Sequence, residues 1–374
     1  MHNEPLTWLE IDLAAIRQNV ATLKSLVPAT TKFLAVVKSN AYGHGLIPVA
    51  RAAVDAGADW LGVVAMSEAL LLRATNLTVP IVVLGYTDPA DWTAAADQSV
   101  RVLIATAEQL AALHDYRGPR LIIHLKVETG LGRLGFVASN VPAMVDQIRS
   151  LTNVELEGVS SHFASVEEQD LAYTQRQVDE LLRATDGLGS TVIRHIAATA
   201  AILQLPTSHF DLVRAGIGIY GLWPSEGVSR AVEQTNPAIR LIPALSWQTR
   251  LVQTKIVESD QSIGYGRTHR VTTGTIVGVL PIGYADGYDR RLSNTADVLI
   301  RSRRVPVIGR VAMNMCMVNL STIPDARVGD IATLIGRDGD EEITADDLAL
   351  WGDTINYEIV TRIPNHVHRN YLNQ

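Results

Sequence analysis

The chain has 374 residues, 47% of them hydrophobic, enough for a large buried core and suited to one big domain with a smaller one. Its 32 Lys and Arg against 39 Asp and Glu give a net charge of -7, with no basic block or stripe to track phosphates, so nucleic acid is not an expected partner. A single cysteine, Cys316, excludes an intramolecular disulfide and a cysteine-rich zinc site; inside "VAMNMCMVNL" it reads as a small apolar strand residue.

The opening "MHNEPLTWLEIDL" has no basic segment leading into an apolar core, and no later apolar run reaches membrane-spanning length without interruption. A cytoplasmic protein with no membrane partner is expected. Within this opening, "TWLEIDL" alternates like a strand but precedes the main run of elements, so residues 1–10 are assigned to pack with the C-terminal domain.

From Phe33 to about Tyr220 short apolar runs alternate with Ala/Leu-rich segments of helical spacing. The strand candidates are "FLAVV", "WLGVV", "IVVLG", "VRVLIA", "RLIIHLKV", "LEGVSS", "VIRHIA" and "FDLVRAG", with helices expected over 46–56, 67–74, 107–114, 138–150 and 169–186. Ser67, Asp88 and Ser139 are the expected capping residues. Continuously apolar strands separated by helices mean parallel strands covered on both faces. Eight such units point to an N-terminal (β/α)8 TIM-type barrel over residues 11–240, with an open doubly wound sheet as the alternative because the last helices are short.

After "TNPAIRLIPALS" the texture changes to short strands with Gly-, Pro- and Asn-rich turns: "SWQTRLVQTKIV", "GTIVGVLPI", "ADVLIR", "RRVPVIG", "MCMVNL" and "DIATLIG". Residues 241–374 are therefore expected to form a mostly antiparallel β-domain with one helix near "TADDLALW". No solenoid-period repeat or low-complexity segment is present.

The stretch "FLAVVKSNAYGHG" sets Lys38 at the C-terminal end of a buried strand, where barrel active sites lie. A lysine desolvated there and near other cations has a lowered pKa, and its neutral amine can form a Schiff base with a carbonyl cofactor. Tyr42 and His44 follow at once, and further strand ends carry Lys126 and Arg133 in "HLKVETGLGRLGF", His162 in "SSHFAS", Thr199 in "AATAA" and Arg214 in "DLVRAGIGIYG". Each has a purely structural alternative: Lys126 and Arg133 paired with Glu128, His162 a core histidine, Arg214 an ion-pair partner. All of them at strand ends together favour a site. Gly216 and Gly218 admit close backbone approach, and N–H groups there suit a phosphate. A lysine for an aldehyde, with Tyr42 and Thr199 hydroxyls for a phosphate, fits pyridoxal 5'-phosphate (PLP).

The blocks "AVVKSNAYGHG", "HLKVETGLGRLGF", "SSHFA", "FDLVRAGIGIYG", "SIGYGRTH", "PIGYADGY", "GRVAMN" and "NYEI" stand in an order and spacing that resemble the alanine racemase family, from Trp8 to about Tyr371. The resemblance implies an isomerase that interconverts L- and D-alanine with two bases, Lys38, which also carries PLP, and Tyr265. Lys38 would serve the D-face and Tyr265 the L-face, since racemisation takes a proton from one side of a planar carbanion and returns one to the other. It implies a homodimer in which the C-terminal domain of one subunit lends its tyrosine to the barrel of the other. Tyr42, Thr199, the Gly216 and Ile217 backbone and Tyr357 would hold the phosphate, Arg214 would face the ring nitrogen and His162 would lie near the ring. Arg133 and the backbone of Met313 would contact the substrate carboxylate, and Lys126 matches a position carbamylated in several members. No metal is implied.

Four positions depart from the family pattern. Ala198 replaces an asparagine, Ala215 a proline, Asn314 an aspartate and Asn365 an arginine. They leave open a racemase for serine, lysine or a broad set of amino acids. A barrel-type decarboxylase is disfavoured by Arg214, where a carboxylate is usual, and by the lack of a second cysteine. A non-catalytic PLP-binding protein built on a barrel alone is disfavoured by Tyr265 and the long segment after the barrel.

Overall fold

The computed structural model describes residues 5–374. The chain divides into two compact units: residues Ala14–Ala41 with Leu46–Ile242, and residues up to Leu13 with Tyr42–Gly45 and Pro243–Gln374.

The first unit is the expected barrel. Its eight strands are β1 (Lys32–Val36), β2 (Trp60–Val63), β3 (Ile81–Tyr86), β4 (Val100–Ile104), β5 (Leu121–Glu128), β6 (Val154–Ser160), β7 (Ile193–His195) and β8 (Leu212–Ala215). Each pairs in parallel with its successor from β1 to β7, and β8 pairs in parallel with β1, placing Arg214 opposite Leu34. The remaining seam, β7 to β8, is closed by the bridge between Ala198 and Arg214 and by the Arg214 N–H donating to Ala197 O at 3.0 Å. That closure selects the barrel over the open sheet. The sequence reason is visible in β2, where Trp60, Leu61 and Val63 are all buried, leaving no solvent face for alternation. Helices such as Leu46–Asp55 bury Val49, Ala50 and Ala53 on one stripe and cover the strands from outside.

Local expectations fared unevenly. Asp88 does cap a turn, Pro89–Asp91, by accepting from Ala90 N–H. Ser67 does not cap: the helix Met66–Arg73 starts one residue earlier, with Ala65 at its N-cap. Ser139 does not cap either, because it lies inside the 3-10 turn Ala138–Asn140 that precedes the helix Val141–Arg149. In both places the first helical residue, Met66 or Val141, is apolar and buried.

The second unit is a β-domain. Its strands run in the order Gln253–Ile256, Ile276–Leu280, Cys316–Asn319, Arg303–Ile308, Asp297–Ile300, Ile331–Asp338, Leu245–Arg250, Thr7–Asp12 and His368–Leu372. All these pairs are antiparallel except the last, where Thr7–Asp12 lies parallel to His368–Leu372. Leu245–Arg250 alternates buried and partly exposed residues, the signature of a sheet with one covered face. Its helix Ala345–Trp351 opens with a capping box in which Thr344 and Asp347 satisfy each other's backbone N–H groups. Cys316 is fully buried, and burial pushes its thiol up to about 12, so it is inert. Among the described residues no helix is long and apolar enough to cross a membrane, and no group of three or more His, Cys, Asp or Glu could hold a metal ion.

Candidate active site

Lys38 leaves the end of β1 on an unusual piece of backbone. Ser39, Asn40, Ala41 and Tyr42 all take left-handed helical angles, with φ of 55, 53, 53 and 51°. For non-glycine residues this conformation costs about 1–2 kcal/mol each, so it persists only where the surroundings hold it. The holding groups are identifiable. Glu68, in the first turn of the helix Met66–Arg73, accepts from Asn40 N–H at 3.2 Å and from Val64 N–H at 3.0 Å. Asn40 Oδ1 accepts from Leu46 N–H at 2.8 Å, closing the loop onto the next helix. The lysine thus sits on a fixed base rather than on a mobile loop.

Around it the barrel collects positive charge. Burial lowers the Lys38 pKa, the Arg133 charge lowers it further, and Glu68 opposes them. Lys126, on β5, is buried and its pKa is held well below the ordinary value, first by burial and then by Arg214 and Arg133. The alternative pairing with Glu128 is not found. The Glu128 carboxylate instead accepts backbone N–H groups of the turn after β5, including Arg133 N–H at 3.0 Å, and so shapes the loop that carries the Arg133 side chain. Neither Lys126 nor the Arg133 guanidinium has a carboxylate within ion-pair distance among the described residues.

Arg214, on β8, is buried, and burial followed by the Arg133 charge lowers its pKa to about 10. Its Nη2 donates to Ser161 O at 2.8 Å, to Ile196 O at 2.9 Å and to His162 Nδ1 at 3.1 Å, and its Nη1 to His195 Nδ1 at 2.7 Å. Among the described residues the Nε–H and one Nη1–H meet no acceptor. His162 is neutral: burial, then Arg214, holds its pKa well below the ordinary value.

Beside these, Thr199 Oγ1 accepts from Gly216 N–H at 3.0 Å and from Gly218 N–H at 3.4 Å, so its own O–H remains to donate. A Cβ on Gly218 would lie 2.6 Å from Thr199 Cγ2, which is why this turn needs glycine. The Ile217 N–H meets no acceptor among the described residues.

Four further residues belong to the other unit. Tyr42 is buried, and burial pushes its hydroxyl up to about 12; its ring is tilted against Tyr357 with centroids 6.3 Å apart. Tyr265 stands at the tip between the short antiparallel strands Gln261–Ile263 and His269–Val271 and is 73% exposed. Met313 is 56% exposed; its carbonyl accepts from Ala285 N–H, and Gly283 makes room for it, since a Cβ there would fall 2.5 Å from that oxygen. Residues that sequence reasoning passed over are Glu68 and Asn40, and His124, Glu157 and His195 within barrel strands. For the three strand residues the one available signal was a polar side chain inside an apolar strand, as in "RLIIHLKV" and "VIRHIA".

Comparison with known proteins identifies the family. The family described as alanine racemase, N-terminal domain, matches residues 11–224, and alanine racemase, C-terminal domain, matches residues 244–371. The alanine racemase of Symbiobacterium thermophilum is 43% identical over 98% of this chain and 97% of its own, and that of Halothermothrix orenii is 38% identical over 98% and 97%. Among solved structures, an alanine racemase from Bacillus anthracis with bound L-Ala-P superposes with a TM-score of 0.91 at 35% identity, covering 100% of this chain and 97% of that one. The chain, matched over both of its units, belongs to the alanine racemase family.

Proposed function

We propose that the protein is a PLP-dependent racemase that interconverts L- and D-alanine. The observation that carries the reading is the group of cations at the strand ends, in which Lys38 has a lowered pKa and a buried Arg214 keeps two N–H donors that meet no acceptor among the described residues. This donor set fits PLP, whose ring nitrogen accepts, whose aldehyde takes an amine and whose phosphate needs donors. When bound, the cofactor spreads the negative charge left at the substrate's Cα into its ring.

The residues then divide the work. Lys38 holds the cofactor and, as a neutral amine, moves the proton on the D-face; Tyr265 moves it on the L-face. Arg214 donates to the ring nitrogen without readily giving up a proton, which weakens the electron sink and disfavours side reactions. The Thr199 O–H, the Ile217 N–H on the Gly216 turn and the hydroxyls of Tyr42 and Tyr357 bind the phosphate, and His162 lines the ring. Arg133 and the Met313 N–H bind the substrate carboxylate. Tyr265 and Met313 act from the partner subunit of a homodimer, so each site is shared. Lys126, buried and with its pKa held well below the ordinary value by burial and by the Arg214 and Arg133 charges, is suited to carbamylation: its Nζ bonds to the carbon of CO2 and loses a proton, leaving an anion for Arg133. The product would serve a cytoplasmic supply of D-alanine for peptidoglycan.

Incubation with L-alanine, L-serine and L-lysine separately in D2O, following α-deuteration and each D-enantiomer, tests the assignment. Alanine turnover should dominate. Dominance of serine or lysine would replace the substrate and point to Ala198 and Asn314, the departures that favour a broader racemase as second reading. No turnover with any of them would overturn the assignment.

A further inference from the structure

The barrel interior holds a polar chain that the roles above do not use. Arg101 on β4 grips Glu157 on β6 with two hydrogen bonds of 2.9 Å, Nε to Oε2 and Nη2 to Oε1. Glu157 Oε2 lies 3.1 Å from His124 Nε2 on β5; His124 Nδ1 lies 2.7 Å from His195 Nε2 on β7; and His195 Nδ1 lies 2.7 Å from Arg214 Nη1. The direction of each bond follows from the ends. A guanidinium only donates, so His195 Nδ1 accepts and its proton is on Nε2. That proton has His124 Nδ1 as acceptor, so the His124 proton is on Nε2 and points at the carboxylate. Both imidazoles are therefore neutral, the state that their complete burial also favours. The route is closely built, since a Cβ on Gly158 would come 2.7 Å from His124 Nδ1 and displace it.

We propose that Glu157, His124 and His195 are positioning residues that lock Arg214 as the donor to the ring nitrogen and link this buried cation to a carboxylate through two neutral imidazoles. The inference rests on the racemase reading. No carboxylate pairs with Arg214 directly among the described residues, and its other acceptors are two carbonyls and the neutral His162. Among the described residues, the relay is thus the hydrogen-bonded path that connects Arg214 to a carboxylate. It also fixes the rotation of the guanidinium, which decides where the remaining N–H groups point.

The test is 15N-histidine NMR of the holoenzyme, with visible absorption and steady-state kinetics. In the unaltered protein His124 and His195 should both be neutral Nε2–H tautomers with strongly downfield protons. Glu157→Gln keeps the shape and removes the charge. It should move both proton resonances, shift the absorption of bound PLP and lower kcat about 10-fold with little change in KM, as expected for loss of a hydrogen bond to a charged group. Glu157→Asp should restore part of each. Racemisation by a protein with the opposite tautomer at either histidine would overturn the relay alone, and this measurement needs no variant that folds. A Glu157→Gln protein in which only His124 responds, with His195 and the PLP spectrum unmoved, would also overturn it. Failure of the unaltered protein to bind PLP would overturn the racemase reading and the relay with it.

Discussion

At the residue scale, chemistry depends on where a few ordinary side chains are desolvated. Lys38 and Lys126 are both lysines among guanidiniums, yet Lys126 is the more deeply buried and its pKa is the more strongly depressed. A buried amine whose pKa is strongly depressed, with no carboxylate within ion-pair distance among the described residues, should react with CO2: 13C-labelled bicarbonate should give a protein-bound carbamate signal that Lys126→Met removes, and its absence from the unaltered protein would refute the modification. Tyr265 is exposed on a hairpin tip and has no burial signature of its own. Tyr265→Phe should leave PLP bound and slow α-proton exchange from L-alanine far more than from D-alanine, since only one face loses its base. Equal loss in both directions would undo the division of bases.

At the element scale, backbone geometry places those side chains. The left-handed turn after β1 is held by Glu68, which accepts from Asn40 N–H and Val64 N–H, and by Asn40, which accepts from Leu46 N–H. No sequence pattern announces four successive non-glycine residues with positive φ; Asn40 and the glycines that follow are its only trace. The helix Thr199–Gln204 shows the opposite case, in which a missing side chain is readable. Ala198 occupies its N-cap in extended geometry and provides no side-chain hydrogen bond. Ala198→Asn should therefore raise stability by about 1 kcal/mol, measured as a shift of the denaturation midpoint at unchanged slope. A midpoint that does not rise would mean that the Asn side chain cannot reach the first-turn N–H groups.

At the scale of the whole molecule, two consequences can be measured. If each site takes Lys38 from one subunit and Tyr265 from the other, Lys38→Ala and Tyr265→Phe proteins should each be inactive in at least one direction. Unfolded and refolded together in equal amounts, they should regain about a quarter of normal activity, because half the dimers are mixed and one site in each is intact. No recovery would place both bases in one chain. The second consequence concerns acid. Burial pushes the Glu157 pKa up, but hydrogen bonds from His124 and Arg101 more than reverse this and bring it from 4.5 to about 2. A carboxyl depressed in the folded state adds stability that is full above 4.5 and is lost as pH falls toward about 2. Melting temperatures over that window should fall less steeply for Glu157→Gln than for the unaltered protein; parallel curves would show that the carboxylate is not the group being titrated.

The sequence alone determined a good deal here: eight apolar runs with helical spacers, a change to alternating short strands near residue 241, and strand ends that gather Lys38, Lys126, His162 and Arg214. These were legible because burial on both faces, burial on one face and a charge at the mouth of an apolar run each leave a local pattern. Barrel closure was not local, since it rests on Arg214 and Ala198 meeting across the last seam. Nor were the caps, where the helices begin on the buried apolar residues Met66 and Val141 and not after Ser67 and Ser139. The relay from Glu157 to Arg214 was hidden for the same reason: it joins residues on β6, β5, β7 and β8 whose sequence separations are set by helices and loops. A hydrogen bond between strands depends on register and on the space that Gly158 leaves open, and only the folded barrel decides both.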